Sequence, residues 1–224
     1  MTAPLKLAVL DCDGTMVDSQ TAIVRSVIAA FERVEVPSPE PDAIIRIVGL
    51  HLPDAMSVLT GGERPEMIAP LVEAYKTVAA QHRDDGEWEN PLYPHAKEVI
   101  RSLDADGWLL GVATGKSKRG LDMVFEAHGI GHHFVTAQTS DFGPGKPAPD
   151  MLHRAMSEAG IEAQYTVMIG DTTYDMEMAV NAGTKAIGVS WGYHADGELL
   201  SAGADVIIHG YWDLPSALED LVDG

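Results

Sequence analysis

Asp11 and Asp13 are acidic residues separated by a single residue, directly after the apolar run of residues 7–10. In an extended strand alternate side chains share a face, so both carboxylates are expected to point the same way. Two carboxylates on one face repel each other unless a cation or a shared proton lies between them. Their hard oxygens favour magnesium over zinc, so the segment predicts a magnesium site. Considered alone, a plain Asp–Gly turn explains the segment about equally well.

Thr114, Gly115 and Lys116 follow another apolar run, at the expected start of a helix. A threonine hydroxyl and the N–H groups of a helix N-terminus can hold phosphate oxygens, so these three are candidate phosphate-binding residues. An ordinary helix N-cap is the alternative interpretation. A P-loop is excluded, because the position five residues before Gly115 is a leucine rather than a glycine.

Three further charged residues, Lys146, Asp171 and Asp175, stand beyond expected strands. Pro147 biases Lys146 toward an extended backbone, which would hold its ammonium group at a fixed place. A solvated loop lysine is the alternative. Asp171 follows an apolar run directly, whereas Asp175 lies at a helix start, where the helix dipole alone favours an acid.

The combination of these residues is more informative than any one of them. Parallel strands would bring an acid pair, a hydroxyl, a lysine and a second acid pair to one edge of a sheet. Such a set can perform phosphoryl transfer, because a cation and a lysine neutralise the phosphoryl oxygens while an aspartate attacks phosphorus.

Apolar runs alternate with segments of helical spacing along most of the chain. This alternation predicts an α/β fold with a doubly wound parallel sheet. After the first run, strands are predicted at 108–113, 134–137, 166–169, 186–189 and 205–208, and helices at 96–104, 119–128, 150–159 and 175–181. Glycines 129, 160 and 183 mark expected helix ends.

Residues 18–91 break this alternation, because only helical patterns occur there. Helices are predicted at 21–34, 42–48, 53–59 and 65–82. The sequence therefore predicts a helical cap domain, residues 18–91, inserted into a core formed by residues 1–17 and 92–224. Such a cap would stand over the carboxyl ends of the strands as a lid and restrict the substrate to a small molecule.

The composition is that of an ordinary globular protein, with 46% hydrophobic residues among 224. A net charge of −19 argues against nucleic acid and anionic membrane surfaces as partners, because both require basic patches. Residues 1–6 lack the features of a signal peptide, and the single cysteine cannot form an internal disulfide. We therefore expect a cytoplasmic protein.

At these residues the chain resembles the haloacid dehalogenase superfamily, in its phosphatase branch with a helical cap after the first strand. All four motifs of that family occur in order over nearly the whole length. The resemblance implies that Asp11 is the nucleophile that forms an aspartyl-phosphate, and that Asp13 is first the general acid and then the base. It also implies that Thr114 binds the phosphoryl group and that Lys146 steadies the nucleophile.

The same resemblance implies Mg2+ as the cofactor. The carboxylates of Asp11 and Asp171 and the backbone carbonyl of Asp13 would hold the ion, and Asp175 would act near it through water. Asp13 argues against carbon–halogen cleavage, because the dehalogenases of the superfamily lack this second acid.

Within the phosphatase branch, the cap and motifs look most like phosphoglycolate phosphatases. Sugar phosphate phosphatases and phosphomutases share the cap and stay open as alternatives. Near residues 48–53, where relatives place a specificity loop, Arg46 or His51 could bind a substrate carboxylate or hydroxyl. Ordinary surface positions explain both residues equally well.

Two non-enzymatic classes of protein are alternatives to a phosphatase. Signalling receiver domains use a doubly wound sheet with aspartates, a hydroxyl residue, a lysine and magnesium. They are much shorter and carry no helical insertion. A degenerate binding protein on the same scaffold is disfavoured, because every expected catalytic position is filled. Sustained magnesium-dependent phosphate release would distinguish an enzyme from both.

Overall fold

A computed structural model describes residues 4–84 and 90–223. Its centre is a parallel sheet of six strands in the order β3-β2-β1-β4-β5-β6. The strands are β1 (Leu7–Leu10), β2 (Leu109–Thr114), β3 (Phe134–Thr139), β4 (Thr166–Gly170), β5 (Lys185–Val189) and β6 (Val206–Ile208). The predicted α/β fold class, a doubly wound parallel sheet, is confirmed.

Helices cover both faces of this sheet because its central strands are apolar on both sides. Leu7 and Val9 of β1 pack into one hydrophobic cluster, whereas Ala8 and Leu10 pack into another. Cys12 lies in the second cluster and is fully buried, as the alternation of side chains predicts. The helices are α1 (Gln20–Arg33), α2 (Pro41–Ile45), α3 (Leu52–Leu59), α4 (Pro65–Asp84), α5 (Ala96–Ala105), α6 (Lys118–His128), α7 (Asp150–Ala159), α8 (Thr173–Ala182), α9 (Asp196–Ala202) and α10 (Leu214–Asp223).

Helices α1 to α4 follow β1 and share a hydrophobic cluster of their own, which includes Val27, Phe31, Met56 and Leu71. The chain leaves and re-enters the core through two adjacent segments. The Asp18 N–H donates to the Pro91 carbonyl at 2.9 Å, and the Tyr93 N–H donates to the Met16 carbonyl at 3.0 Å. These bonds lie at the predicted limits of the helical insertion.

The predicted helices occur with small shifts of their ends, except in one case. The helix predicted for 42–48 is α2, which ends at Ile45, so that prediction was too long. Gly49 has φ of +97°, and the Leu50 N–H donates to the Ile47 carbonyl rather than continuing an α-helical pattern. The three glycines predicted to end helices do so in the left-handed conformation. Within residues 4–84 and 90–223, no helix is long and apolar enough to cross a bilayer.

Candidate active site

The candidate site lies at the carboxyl ends of β1, β2 and β4. Strand β1 pairs with β2 on one side and with β4 on the other, so Leu10 is level with both Val112 and Ile169. The chain order reverses across β1, which creates the crevice where doubly wound sheets bind ligands. Asp11, Thr114 and Asp171 occupy the positions at or directly after these strand ends.

Asp11, Asp171 and Asp175 form a buried cluster of acids. Each contributes a carboxylate oxygen that lies within 4.8 Å of the other two. Lys146 Nζ lies 2.9 Å from Asp11 Oδ2 and 2.5 Å from Asp175 Oδ1. Lys146 is only 2% exposed, so the solvated-loop interpretation of this residue was wrong.

The electrostatics of this cluster follow from three carboxylates sharing one ammonium group. Burial, opposed by Lys146 and assisted by Asp175, raises the pKa of Asp11 to about 7. Burial and the nearby charges of Asp175 and Asp11 raise the pKa of Asp171 well above its ordinary value. Burial lowers the pKa of Lys146, but Asp11 and Asp175 more than offset this effect and raise it overall. A positive charge is therefore favoured beside these acids.

Asp171 is enclosed by groups from distant parts of the chain. The Thr15 hydroxyl donates to its Oδ1 at 2.8 Å, and the Tyr193 N–H donates to its Oδ2 at 3.0 Å. A Cβ on Gly14 or Gly192 would lie 2.2 or 2.1 Å from atoms of Asp171. Only glycine at both positions lets the backbone approach this carboxylate so closely.

Asp175 is held by its own helix terminus as well as by Lys146. Its Oδ2 accepts from the Thr172 N–H at 3.1 Å and from the Thr172 hydroxyl at 2.7 Å. The bond from the Thr172 N–H is the one that a capping box at the start of α8 provides. Asp175 is thus an acid at a helix start, as the helix dipole alone would favour, and it is also a member of the buried acid cluster.

Asp13 lies apart from the acid cluster and has its own cation. Lys116 Nζ is 2.8 Å from Asp13 Oδ1, which also accepts from the Ser19 hydroxyl at 2.5 Å. The Ser19 and Tyr193 hydroxyl oxygens are 3.1 Å apart. Burial lowers the pKa of Lys116, but Asp13 and, to a smaller extent, Cys12 together more than offset this effect and raise it overall. The ammonium group of Lys116 therefore lies against the carboxylate of Asp13.

Thr114 is buried at the end of β2, and its Oγ1 accepts from the Lys116 N–H at 3.2 Å. The N-cap of α6 is Ser117, whose hydroxyl accepts from the Gly120 N–H. Thr114 is therefore not an ordinary N-cap. The sequence predicted that backbone N–H groups here are free to bind phosphate. At least one of them is already used, because the Lys116 N–H donates to Thr114 Oγ1.

The loop between α2 and α3 lies directly over these core segments. A Cβ on Gly115 would lie 2.8 Å from the Gly49 carbonyl oxygen, and one on Gly145 would lie 2.8 Å from the His51 Cβ. A Cβ on Gly49 would likewise lie close to the side chain of Thr172. The helical insertion and the sheet thus meet at the residues that carry the motifs.

A cavity of about 890 Å3 opens between the insertion and the core. Asp11, Asp13, Thr114, Gly115 and Lys116 line it together with His51. His51 Nδ1 also lies 3.5 Å from Asp54 Oδ2, at a partly exposed position. The structure therefore brings His51 to the cavity together with the core motifs.

Arg46 is not among the described residues that line the cavity. Its guanidinium pairs instead with Glu198 on α9, at 2.9 Å, and its side chain is 62% exposed. Its backbone carbonyl accepts from the Tyr174 hydroxyl at 3.2 Å and from His194 Nε2 at 3.3 Å. Arg46 contacts the core but does not join the other predicted substrate-binding residues.

Sequence reasoning missed Thr15, Ser19 and Tyr193. Thr15 is separated from the first acid pair only by Gly14, so its position was a usable signal. Ser19 and Tyr193 carry no local signal, because their roles depend on contacts with residues distant in the chain.

The donor set fits a magnesium ion. Three buried carboxylates supply hard oxygens, and a single ammonium group leaves their negative charge incompletely balanced. Burial first, and then the neighbouring carboxylates, raise the pKa of Asp11 and of Asp171, so neither charge is fully compensated. A divalent cation among these acids would compensate both charges.

Comparison with known proteins gives a consistent result. Residues 8–189 match the family of haloacid dehalogenase-like hydrolases. "Probable phosphatase IndB" of Dickeya dadantii (strain 3937) is 33% identical over 96% of this chain and 94% of that protein. A phosphoglycolate phosphatase of Vibrio parahaemolyticus is 27% identical over 88% of this chain and 89% of that protein. In structure, a haloacid dehalogenase-like family hydrolase from Streptococcus pneumoniae has a TM-score of 0.83, 23% identity and coverage of 95% and 98%, which supports the fold.

The family match runs from β1 to β5 and contains every charged residue of the buried cluster. Since it also spans most of the chain, this protein belongs to the family of haloacid dehalogenase-like hydrolases.

Proposed function

We propose that the protein is a magnesium-dependent phosphatase that hydrolyses small phosphate monoesters through an aspartyl-phosphate on Asp11. The observation that carries this proposal is the position of Lys146, between Asp11 and Asp175 and beside a cavity lined by Asp11 and Asp13. A lone nucleophilic carboxylate would repel a phosphate dianion, so the chemistry needs positive charge at this place.

Asp11, Asp171 and the backbone carbonyl of Asp13 would hold the magnesium ion, with Asp175 nearby. When bound, the ion would supply positive charge that keeps Asp11 ionised and neutralises phosphoryl oxygens. The contacts of Asp171 with Thr15 and Tyr193 would fix the orientation of that carboxylate.

The first chemical step belongs to Asp11 and Asp13. A carboxylate oxygen of Asp11 forms a bond to phosphorus while the bond between phosphorus and the ester oxygen breaks. Asp13 gives its proton to the departing alcohol. Lys146 and the Thr114 hydroxyl hold the phosphoryl oxygens in place, since a loose transition state depends on positioning more than on covalent assistance.

The second step returns the enzyme to its starting state. Asp13 takes a proton from water, whose oxygen attacks phosphorus and displaces the Asp11 carboxylate. Inorganic phosphate leaves and Asp13 keeps the proton for the next turnover. Lys116 and the Ser19 hydroxyl both contact Asp13 and would hold it in one orientation throughout.

Residues 18–91 would act as the cap domain over a core formed by residues 1–17 and 92–224. The separate hydrophobic cluster of α1 to α4 and the two hydrogen bonds that join residues 16–18 to 91–93 support this division. The approach of Gly49 to Gly115 and Thr172 supports a cap that closes the site. Phosphoglycolate is the substrate to assay first, with sugar phosphates as the alternative.

Phosphate release by the purified protein tests the proposal directly. With Mg2+ we expect many turnovers per molecule, and excess EDTA should abolish them. Acid quenching during turnover should trap one phosphoryl group per chain. A single stoichiometric phosphorylation without release would indicate receiver-like chemistry, and no reaction at all would indicate a degenerate binding protein.

A further inference from the structure

The cavity is large for the substrate that the family resemblance favours. Its volume of about 890 Å3 lies near the top of the range of ~300–1,000 Å3 for pockets that hold drug-sized ligands. Phosphoglycolate carries only a two-carbon acid beyond its phosphoryl group. Most of the cavity would contain no part of such a substrate.

The walls beyond the phosphoryl site are mainly apolar. They come from α1, α3 and α4, from the loop between α2 and α3, and from α6. The apolar side chains that line the cavity include Ile23, Val27, Met56, Val72, Ala80 and Met123. Such walls favour contact with hydrocarbon over contact with water.

Two of the three lysine and arginine side chains in the described lining of the cavity already pair with carboxylates of the protein. Lys116 pairs with Asp13 at 2.8 Å, and Lys76 pairs with Glu73 at 3.1 Å. Arg119 also lines the cavity, at an exposed position. A second negative group on the substrate would therefore compete with Asp13 and Glu73 for the two lysines, which leaves Arg119 as the one lysine or arginine of the described lining without a carboxylate partner.

From this arrangement we infer that the physiological substrate is a phosphate monoester whose alcohol is an apolar chain or ring, larger than glycolate. The inference rests on the proposed function, since it places the ester phosphate beside Asp11. The phosphoryl end would lie beside Asp11, with Lys146 and the Thr114 hydroxyl on its oxygens, and the apolar walls would bind the alcohol.

A series of unbranched alkyl phosphates, from methyl to hexyl phosphate, tests this inference. The acidity of the leaving alcohol is nearly constant beyond the shortest members, so rate differences report contact with the organic part. We expect kcat/KM to rise about threefold to fourfold for each added methylene group. Hexyl phosphate should also exceed phosphoglycolate.

Filling the cavity supplies the matched variants. Ala80→Phe adds a ring on α4 at a position that lines the cavity, whereas Ala69→Phe adds the same ring on the same helix at an exposed position outside the cavity lining. Ala80→Phe should reduce kcat/KM for hexyl phosphate at least tenfold and change that for methyl phosphate less than twofold. Ala69→Phe should change neither.

The outcomes separate this inference from the proposed function. If methyl phosphate, hexyl phosphate and phosphoglycolate all release no phosphate with Mg2+, the proposed function itself fails. If phosphoglycolate is hydrolysed and kcat/KM is flat along the alkyl series, the phosphatase stands and the apolar substrate is rejected. Equal effects of Ala80→Phe on methyl and hexyl phosphate would also overturn it.

Discussion

The Lys116 ammonium lies 2.8 Å from Oδ1 of Asp13, at a position where both side chains are almost fully buried. A buried carboxylate is costly without a cation, and the ammonium fills that need. The loop after β2 thus holds the side chain that the mechanism requires as acid and base. Lys116 is better described as a positioning residue for Asp13 than as a direct phosphate ligand.

Lys116→Met keeps much of the side-chain volume and removes the charge. We expect kcat/KM to fall about 10²–10³-fold, the usual cost of removing one preorganised charged contact from an active site. Steady-state kinetics with one substrate measures the loss. Lys118→Met is the control, since Lys118 is exposed and pairs with Asp122 on the same helix. Equal activity of both variants would contradict a positioning role.

Asp11→Asn removes the nucleophile and one acid of the cluster. No turnover and no trapped phosphoryl group are expected, while circular dichroism and thermal unfolding should show an intact fold. Asparagine has nearly the same shape, and the remaining Asp175 still pairs with Lys146. Residual phosphorylation of this variant would exclude Asp11 as the site of attack.

Asp13→Asn affects proton transfer rather than attack. The rate constants of both chemical steps should fall by about 10²–10⁴, the range for a positioned general acid or base. An activated ester with a good leaving group needs no proton, so with it the phosphoenzyme should accumulate. Rapid quench and intact-protein mass measurement detect this species. Wild-type rates in both steps would remove Asp13 from its role.

The raised pKa of Asp11 predicts how stability depends on pH. The ordinary value is 3.8 and the folded value is about 7, so between these values the folded state retains a proton that the unfolded chain has lost. In EDTA, the contribution of Asp11 therefore decreases the free energy of unfolding as pH rises through this window. Asp171, whose pKa is also raised, acts in the same direction.

Thermal unfolding with and without Mg2+ measures this effect. Magnesium should raise the Tm more at pH 8 than at pH 5, because at pH 5 protons still neutralise the acids. Asp11→Asn should make the Tm in EDTA less dependent on pH. A magnesium effect of equal size at both pH values would argue against an ion at this cluster.

The strands, the doubly wound sheet and the family resemblance could be predicted because they depend on local pattern. Asp11 and Asp171 each follow an apolar run directly, and the parallel sheet then places them on one edge. Ser19 and Tyr193 are 174 positions apart, so only the folded chain shows that they meet beside Asp13. The end of α2 was predicted too late because it, too, depends on residues distant in the chain. The carbonyl oxygen of Arg46, just after α2, accepts hydrogen bonds from Tyr174 and His194. The cytoplasmic location stays a prediction.

Arg46→Ala tests the one predicted substrate-binding residue that lies away from the cavity lining. Its pair with Glu198 is solvated, and exposed ion pairs contribute only ~0–1 kcal/mol. We expect kcat/KM to change less than about fivefold. Glu198→Ala should have the same small effect, since it breaks the same pair. A loss of 100-fold or more confined to Arg46→Ala would return this residue to the substrate site.

Gly115→Ala tests whether the contact between the insertion and the core is needed for catalysis. The added Cβ would lie 2.8 Å from the Gly49 carbonyl oxygen and 3.0 Å from that of Leu50, so the loop must move outward. Opening this contact admits water and displaces His51 from the cavity wall, which should lower kcat/KM at least tenfold.

The matched control is Gly197→Ala on α9, where a Cβ would have no neighbour within 4 Å. That substitution should leave activity unchanged and raise stability slightly, because alanine favours the helix. The Tm of Gly115→Ala should stay close to wild type, since the displaced loop is small compared with the core. If both variants keep full activity, the loop over Gly115 has no part in forming the catalytic site.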